Sequence, residues 1–298
     1  MTTNKLTHYA WLSLATAVAT ISLKVAAYWL TGSVGLLSDA LESGVNLVTA
    51  VSTIIFLNIA RQPPDEEHAY GHTKAEYLSS GGTGLLILGA AVAIVYSAVQ
   101  RWLNPAPLEQ LSWGLLISAV AAVVNFVVAR VLLRAGRAHR SASLVGEGHH
   151  LMSDVWTSVG VLVGVALVWL TGWPWLDSLV ALLAAAQISW AGLALVREAG
   201  QGLMDAALPA EELAQAVAVL ERYTAEHGIY YHALRTRQAG ANRFLSVHLQ
   251  MPGAWSVQRG HTVAEEIETE LRTAVPALSV FTHMEPLEDP RSWADMEL

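Results

Sequence analysis

Residues 34–60 read VGLLSDALESGVNLVTAVSTIIFLNIA, an apolar run long enough to cross a bilayer as one helix. Three polar side chains interrupt this run, namely Asp39, Glu42 and Asn46. Acidic side chains inside a membrane span are costly, and they usually face a pathway or a partner. The segment therefore predicts a membrane helix that carries a functional site.

Five other apolar segments of similar length accompany this one, separated by turns that contain glycine or proline. Hydrophobic residues make up 53% of the 298 residues and charged residues only 14%, which is about half the charged share of soluble domains. The chain is therefore predicted to be an α-helical membrane protein with six transmembrane helices. These lie at about 8–30, 34–60, 77–103, 111–135, 142–171 and 176–197.

Basic residues in the short loops and at the span ends predict the orientation, because they mark the cytoplasmic side of a membrane protein. Arg101 stands on one side of the predicted bundle. The other side carries Lys5, Arg61, Lys74, Arg134, Arg137, Arg140 and Arg197. Both termini are therefore expected in the cytoplasm. No cleavable leader pattern precedes the first span, which favours a bacterial inner membrane.

Residues 206–298 have the composition of a soluble domain. They carry 13 acidic and 7 basic residues, a balance that attracts cations and repels nucleic acid. Apolar spacing predicts helices at 209–227 and 257–274, with strands at 229–238, 243–251 and about 278–284. This order indicates an α+β domain of ferredoxin-like type after a transmembrane domain at 1–205.

Two predicted spans carry polar pairs at four-residue spacing, which places both members of a pair on one helix face. The pairs are Glu42 with Asn46 and His150 with Asp154. Two carboxylates, one amide oxygen and one imidazole suit a divalent cation and nearly balance its charge. Alternatively, these side chains only bond between helices and fix their packing. Further candidates around such a site are Asp39, Glu147 and His149.

The chain has no cysteine, which excludes thiolate metal sites and disulfides. Lys24 lies inside the first span, where it either reaches the membrane interface or balances a carboxylate. A hydrolase with a metal-activated water is disfavoured, because the chain has neither a G-x-S-x-G motif nor a zincin helix. A transporter, rather than an enzyme, is expected. The other candidate is a membrane-anchored metal sensor or scaffold.

Two stretches resemble the cation diffusion facilitator family: TGSVGLLSDALES at 31–43 is similar to its second helix, and HLMSDVWTS at 150–158 to its fifth. The resemblance extends over the six spans and the tail. It implies efflux of a divalent transition-metal cation from the cytoplasm in exchange for protons, with zinc expected and iron, cobalt, manganese or cadmium as alternatives. It also implies a homodimer. The family commonly has His or Asp, then Asp, where this chain has Glu42 and Asn46.

The same resemblance implies further metal sites, with metal ions as cargo and regulators and no catalytic cofactor. In the loop after the second span, Asp65, His68 and His72 match a family site, although a solvated polar loop is the alternative. His68 and His72 would share a helix face if the third helix begins early. Lys74 resembles a lysine that pairs with an aspartate, here Asp205, and locks the protomers together, although an ordinary exposed lysine is the alternative. In the metal-binding dimerisation domain at 206–298, the matching residues are His232, His248, His261, His283 and Glu285.

Overall fold

The structure, a computed structural model, describes residues 3–105, 108–138 and 141–293. Within this part of the chain, six long helices are each apolar enough to cross a membrane, which confirms the predicted transmembrane architecture. Arg140, which contributed to the predicted orientation, lies outside the described residues. The six helices are α1 (Thr3–Thr31), α2 (Val34–Ala60), α3 (Ala75–Leu103), α4 (Leu111–Ala138), α5 (Ala142–Thr171) and α6 (Trp175–Leu203).

Some of these helices extend past the apolar runs that predicted them. Helix α4 continues to Ala138, and α6 continues through Arg197 to Leu203. Apart from three glycines, the added residues are good helix formers, so backbone hydrogen bonding continues after the apolar stretch has ended. Hydropathy therefore locates the spans better than it locates the ends of the helices.

The chain forms two compact units. The first comprises Met1–Ser52 and Gly82–Val196, and the second comprises Thr53–Gly81 and Arg197–Leu298. In the first unit α5 packs closely on α4, because a Cβ atom on Gly148 would lie only 2.7 Å from Leu133 Cγ. A glycine is needed at this contact, two residues before His150 on the same helix.

Helix α5, which carries His150 and Asp154, has defined ends. The Ser141 side chain accepts a hydrogen bond from the Leu144 N–H at 3.4 Å and so caps the first turn. Gly172 follows the last turn with a φ of 68°, a conformation that glycine adopts without strain. The two caps fix the limits of the helix and therefore the face on which the candidate ligands lie.

The C-terminal part of the second unit has the order helix, strand, strand, helix, strand, which confirms the predicted α+β fold. Its elements are α7 (Ala210–His227), β1 (Tyr230–Ala239), β2 (Asn242–Met251), α8 (Val257–Ala274), β3 (Leu278–Pro286) and a 3-10 turn (Pro290–Trp293). The sheet order is β1–β2–β3, with β1 antiparallel and β3 parallel to β2. Parallel pairing requires a crossover, which α8 supplies.

One face of this sheet packs on α7 and α8 to form a hydrophobic core. Leu245 and Leu249 on β2 are almost fully buried there, together with Ile267 and Leu271 on α8. Successive side chains on a strand point to opposite faces, so His248 lies on the face away from this core. Burial of the leucines thus determines where the histidines of the sheet are presented.

Candidate metal centres

Helices α2 and α5 bring part of the predicted membrane ligand set together. Asn46 Nδ2 donates a hydrogen bond to Asp154 Oδ1 at 3.2 Å, and His150 Nε2 lies 4.0 Å from Asp154 Oδ2. Asp154 is buried, whereas the His150 side chain is about half exposed. The aspartate is therefore the point at which the two ligand-bearing helices meet.

Glu42, the fourth predicted membrane ligand, lines a cavity of about 460 Å³ bounded by α2, α5 and α6. The polar side chains of Ser153, Thr157 and Gln187 line the same cavity. Among the described residues, the donor atoms of Glu42, His150 and Asp154 do not all lie within 4.8 Å of one another. Three predicted ligands thus make contacts, while Glu42 stands on the cavity wall.

The contacts around Asp154 can be compared with the spacing that ligands of one cation require. Zinc binds nitrogen and oxygen ligands at about 2.0–2.2 Å, so two ligands of one ion stand about 3.3 Å apart. The Asn46–Asp154 separation of 3.2 Å already matches, although the Asn46 amide must turn to present its oxygen. The His150–Asp154 separation of 4.0 Å must shorten. The arrangement can therefore accept a divalent cation after a rearrangement of side chains.

Lys24 is buried and balances a carboxylate, the second of the two roles expected for it. Its Nζ donates to Asp39 Oδ1 at 2.8 Å and to Ser43 Oγ at 2.8 Å, and all three side chains are buried. Ser158 Oγ on α5 also donates to Asp39 Oδ1, at 2.8 Å. Asp39, predicted to lie around the membrane site, therefore links α1, α2 and α5.

The other two residues predicted to lie around this site have different surroundings. Glu147 Oε1 accepts a hydrogen bond from Ser13 Oγ on α1 at 2.6 Å. His149 is exposed, and as the neighbour of His150 it points about 100° away around the helix. Glu147 thus joins α1 to α5, and the contacts of the described residues bring neither side chain to Asp154.

A compact cluster of candidate ligands, the loop cluster, lies between α2 and α3. Asp65 Oδ1 is 3.3 Å from His68 Nδ1, and Asp65 Oδ2 is 3.4 Å from His72 Nε2. The two imidazole rings have centroids 4.4 Å apart. One donor atom from each residue lies within 4.8 Å of the others, which matches the spacing of ligands around one cation.

The condition under which His68 and His72 would share a helix face is not met. Helix α3 begins only at Ala75, so His68 and His72 do not share a helix face. Turns bring the two histidines together instead: the Gly71 N–H donates to His68 O at 2.8 Å, and Gly71 has a φ of 82°. Glycine adopts this backbone conformation at little cost. The loop cluster therefore depends on a turn rather than on helical spacing.

Asp65 organises this loop in addition to supplying charge. Its Oδ1 atom accepts hydrogen bonds from the N–H groups of Glu67 and His68 at 3.1 and 2.6 Å. The bond from the His68 backbone is the main reason why the pKa of the Asp65 carboxyl lies below its usual value, and the charge of His72 adds to it. The carboxylate is therefore ionised near neutral pH and available to a cation.

The strand register places three histidines side by side across the sheet. His232 on β1 pairs with His248 on β2, and His248 pairs with His283 on β3. Glu285 lies two residues after His283 and so points to the same face. The register of β1 shifts between His232 and Arg235, where the strand bulges. Residues distant in the sequence thus meet in one row, which we call the sheet cluster together with Glu285.

Glu285 lies at the centre of the sheet cluster. Its Oε2 atom is 2.8 Å from His232 Nε2, and its Oε1 atom is 3.1 Å from His248 Nδ1. His283 Nε2 stands at 3.7 Å from Oε1 and is largely exposed. The ring of Trp293 stacks beside His232, which is 8% exposed. The cluster therefore has an enclosed part, formed by His232, His248 and Glu285, and an exposed edge at His283.

His261, the remaining predicted ligand of the tail, lies near the start of α8 and is exposed. It is not part of the group formed by His232, His248 and Glu285, whose donor atoms all lie within 4.8 Å of one another. The structure thus brings together four of the five predicted residues. Three imidazoles and one carboxylate are donors of the type and number that suit a four-coordinate divalent cation.

Lys74 and Asp205 form the predicted charge pair within one chain, with Nζ 2.8 Å from Oδ1. Arg237 on β1 lies 3.3 Å from the same oxygen. The hydrogen bond from Lys74 is the main reason why the pKa of the Asp205 carboxyl is lowered, and Arg237 adds a smaller effect. The pair connects the residue before α3 to the segment that follows α6.

Sequence reasoning missed Asp177, a fully buried carboxylate in the first turn of α6. It accepts hydrogen bonds from Ser33 Oγ at 2.5 Å and from the N–H groups of Val34 and Gly35 at 2.8 and 3.2 Å. Asp177 thus accepts hydrogen bonds from N–H groups that have no partner within the first turn of α2, the helix that carries two candidate ligands. An acidic residue at the start of an apolar run was the available signal.

Relatives of known sequence cover nearly the whole chain. It is 49% identical over 285 residues to an uncharacterized transporter of Synechocystis sp., covering 96% of this chain and 92% of that one. It is 31% identical over 274 residues to the cation-efflux pump FieF of Citrobacter koseri, covering 91% and 90%. Among solved structures, the metal-bound C-terminal domain of the CzcD transporter from Thermotoga maritima is 28% identical, covering 26% of this chain and 91% of that chain with a TM-score of 0.24.

Family models match both parts of the chain. Residues 10–204 match the cation efflux transmembrane domain, and residues 208–287 match the cytoplasmic domain of cation efflux proteins. The first match alone covers more than half of the sequence and contains all six apolar spans. This chain belongs to the cation diffusion facilitator family and is an integral, multi-pass membrane transporter for metal cation efflux.

Proposed function

We propose that this transporter exports a divalent transition-metal cation from the cytoplasm in exchange for protons. The proposed transport site consists of Glu42, Asn46, His150 and Asp154. The proposal rests on one contact, the 3.2 Å bond between Asn46 on α2 and Asp154 on α5, which joins the two helices that hold the candidate ligands. A transporter of this family needs no enzymatic activity, and none is proposed.

The ligand types favour proton exchange. A carboxylate or an imidazole binds a cation only after giving up its proton, so metal and protons compete for the same atoms. Glu42, His150 and Asp154 are all of this kind. In the proposed cycle, the cation binds from the cytoplasm and protons displace it on the other side, while the helices rock between two states.

Zinc is the proposed cargo, because one imidazole with oxygen donors suits a tetrahedral divalent ion and the chain has no cysteine. Two carboxylates would balance the charge of the ion. Iron, cobalt, manganese and cadmium are the rivals, since affinity order alone does not decide selectivity. Glu42 and Asn46 depart from the residues common in the family, so α2 is proposed as the helix that discriminates among these metals.

The loop cluster and the sheet cluster are proposed to bind regulatory metal ions. The loop site would consist of Asp65, His68 and His72, whose donor atoms already lie together. The tail site would consist of His232, His248, His261, His283 and Glu285. His261 would join it only by a movement of its side chain. Metal at these sites would report the cytoplasmic concentration of the ion that is exported.

The assembly and its location are also proposals. The chain is proposed to form a homodimer through residues 206–298, a cytoplasmic domain that follows a transmembrane domain at 1–205. The Lys74–Asp205 pair would hold the protomers together. The distribution of basic residues supports cytoplasmic termini, and a bacterial inner membrane is the proposed location. The acidic tail argues against nucleic acid as a partner.

Metal uptake into proteoliposomes with an imposed pH gradient tests the transport proposal. Zn²⁺, Mn²⁺, Fe²⁺, Co²⁺ and Cd²⁺ are tested in parallel with wild-type protein and with Asp154→Asn. The substitution keeps the size of the side chain and removes its charge. Asp289→Asn is the matched control, because this carboxylate pairs with Arg291 in the C-terminal part of the chain.

We expect uptake of zinc that depends on the pH gradient and falls to background in Asp154→Asn. The Asp289→Asn control should transport zinc at the wild-type rate. Near-normal zinc uptake by Asp154→Asn would remove Asp154 from the site. Uptake that is independent of the pH gradient would remove proton exchange.

A metal sensor is the second candidate function, and one observation favours it. Both groups of donors that already lie within 4.8 Å of one another belong to the second unit, whereas the membrane donors of the described chain form no such group. A sensor would bind metal at these clusters without moving it across the bilayer. Binding by the purified protein without uptake into vesicles would favour this function over transport.

A further inference from the structure

We propose that Lys24, Asp39 and Ser158 form a positioning node that fixes α2 against α5 and thereby sets the cation affinity of the proposed transport site. The inference rests on the proposed transport function. None of the three residues is a proposed ligand. They act through the placement of the helices that carry the ligands.

Two donors from different helices converge on one oxygen of Asp39. Lys24 Nζ on α1 and Ser158 Oγ on α5 each lie 2.8 Å from Asp39 Oδ1 on α2. Lys24 Nζ also lies 2.8 Å from Ser43 Oγ, one turn further along α2. Bonds to a charged group are among the stronger hydrogen bonds, so this oxygen holds three helices at one point.

Because the node is buried, its charged groups would cost folding free energy if they lost their hydrogen-bond partners. Lys24 is 1% exposed, Asp39 2% and Ser158 not at all. Asp39 Oδ2 is buried as well and has no hydrogen-bond partner among the described residues. Apolar side chains of the same volume are often as stabilising as a buried ion pair. Stabilisation by packing therefore does not explain why charged residues occupy these positions. A role in fixing one arrangement of the helices explains it.

The node stands one turn from the ligands on both helices. Asp39 precedes Glu42 by three residues, and Ser158 follows Asp154 by four, so each shares a helix face with its neighbouring ligand. The Asp39–Ser158 bond is one rung between α2 and α5, and the Asn46–Asp154 bond is a second. Glu42 lies between these rungs along α2. The two rungs together set its distance from the donors of α5.

Loss of the first rung should alter affinity rather than turnover. With only the Asn46–Asp154 bond left, α2 can shift or rotate against α5, and the donors then meet the cation with less favourable geometry. Groups that orient metal ligands typically change metal affinity by about 10-fold to 100-fold when they are removed. The apparent KM for the cation should therefore rise while the maximal rate changes little.

Ser158→Ala is the mildest test, because it removes one hydroxyl and retains both charges. Zinc uptake is measured with the full chain in proteoliposomes, as KM and maximal rate separately. Ser118→Ala is the matched control, since Ser118 on α4 is equally buried and its hydroxyl has no partner among the described residues. We expect KM to rise about tenfold in Ser158→Ala, with a maximal rate within about twofold, and to stay at the wild-type value in Ser118→Ala.

Two double variants separate positioning from simple charge balance. Lys24→Met with Asp39→Asn and Lys24→Met with Asp39→Leu both remove the two charges, but only asparagine still accepts a bond from Ser158. We expect the asparagine variant to have a KM within about threefold of wild type and the leucine variant a KM raised about tenfold. Equal KM values in the two double variants would overturn the positioning role.

The single variants decide the matter if the double variants do not fold. A KM in Ser158→Ala equal to that of Ser118→Ala then overturns the inference. Failure of the proposed function has a different signature, which is absent uptake by wild-type protein or normal uptake by Asp154→Asn. If wild-type protein takes up zinc, Asp154→Asn does not, and Ser158→Ala has the wild-type KM, then the positioning node is wrong while the transport proposal stands.

Discussion

The sheet cluster and the membrane ligand set both collect donors from separate elements, but they hold them differently. In the sheet cluster, Glu285 stands 2.8 and 3.1 Å from two histidines on neighbouring strands. In the membrane set, Asp154 makes one 3.2 Å contact with Asn46, while His150 stands 4.0 Å away. The donors of the sheet cluster are thus already together before a cation binds, whereas the donors of the membrane set are together only in part.

The difference follows from the elements that carry the donors. Backbone hydrogen bonds fix neighbouring strands in register, so side chains directly opposite each other stay about 5 Å apart at Cβ. Two helices are fixed only by their side chains, and they can move without breaking backbone bonds. A regulatory site benefits from donors held in place, whereas a transport site must release its ion. The geometry of each region therefore suits the role proposed for it.

Glu42→Gln should have the largest effect on this comparison. The substitution removes one of the two carboxylates proposed to balance a divalent ion, so zinc uptake should fall by about 100-fold or more. The amount of zinc that the purified full chain binds at the loop cluster and the sheet cluster should not change, because Glu42 belongs to neither cluster. Uptake assays and calorimetric titration of the same preparation measure the two quantities.

Wild-type uptake by Glu42→Gln would remove this residue from the proposed site. The binding measurement serves as a folding control, because loss of both uptake and binding would indicate a misfolded protein. Gln187→Ala provides a control on the same cavity, because its neutral side chain lines the wall from α6 without contributing charge. Its uptake should stay within a few-fold of wild type.

Glu285→Gln should have the opposite effect. Both of its oxygens contact imidazole nitrogens, and loss of the charge should weaken zinc binding at the sheet cluster by about 100-fold. The number of tightly bound ions per chain should fall by about one, while the maximal rate of uptake stays measurable. Titration of the full chain tests this. An unchanged number of tightly bound ions would contradict the sheet cluster as a metal site.

His72→Ala and His68→Ala should differ in the loop cluster. The His72 side chain is mostly enclosed, and its Nδ1 atom is buried without a hydrogen-bond partner among the described residues. His68 is half exposed and can be replaced by water more easily. We expect zinc affinity at the loop to fall about tenfold in His72→Ala and less in His68→Ala. The reverse order, measured by titration, would contradict the observed burial.

The fold could be predicted from the sequence because its signals are local. Apolar length fixed the six spans, and alternation or helical spacing fixed the order of elements in the tail. The four-residue spacing of Glu42 with Asn46 and of His150 with Asp154 likewise used only helix geometry. Each of these signals lies within one element, where 3.6-residue and two-residue periods hold.

Features that depend on pairs of elements could not be predicted in this way. The row of His232, His248 and His283 requires the strand register and the bulge in β1, which the sequence of one strand does not contain. The loop cluster requires a turn at Gly71, which helical spacing does not describe. Asp39 and Asp177 accept hydrogen bonds from serines that are 119 and 144 residues away in the sequence. Tertiary packing determines all of these contacts.

The two lysine–aspartate pairs extend the comparison to a weaker interaction. Lys24 and Asp39 in the membrane unit are 1% and 2% exposed, whereas Lys74 and Asp205 in the other unit are 36% and 48% exposed. Water and salt screen a charge pair at the surface far more than a buried one. The exposed pair should therefore contribute little to stability, and its contribution should depend on pH and on salt.

Asp205→Asn should accordingly have the smallest effect. A partly exposed pair contributes about 0.2–1 kcal/mol, so the thermal midpoint of the full chain in detergent should fall by about 1–2 °C. The pKa of Asp205 is lowered in the folded chain, so its stabilisation is complete above the unfolded pKa and is lost as pH falls through the folded value. The difference in thermal midpoint between Asp205→Asn and wild type should be equal at about pH 7.5 and 5.5 and should shrink below about pH 4. It should also shrink in about 1 M salt. A difference that persists in high salt would show that the pair is shielded from solvent, as Lys24 and Asp39 are.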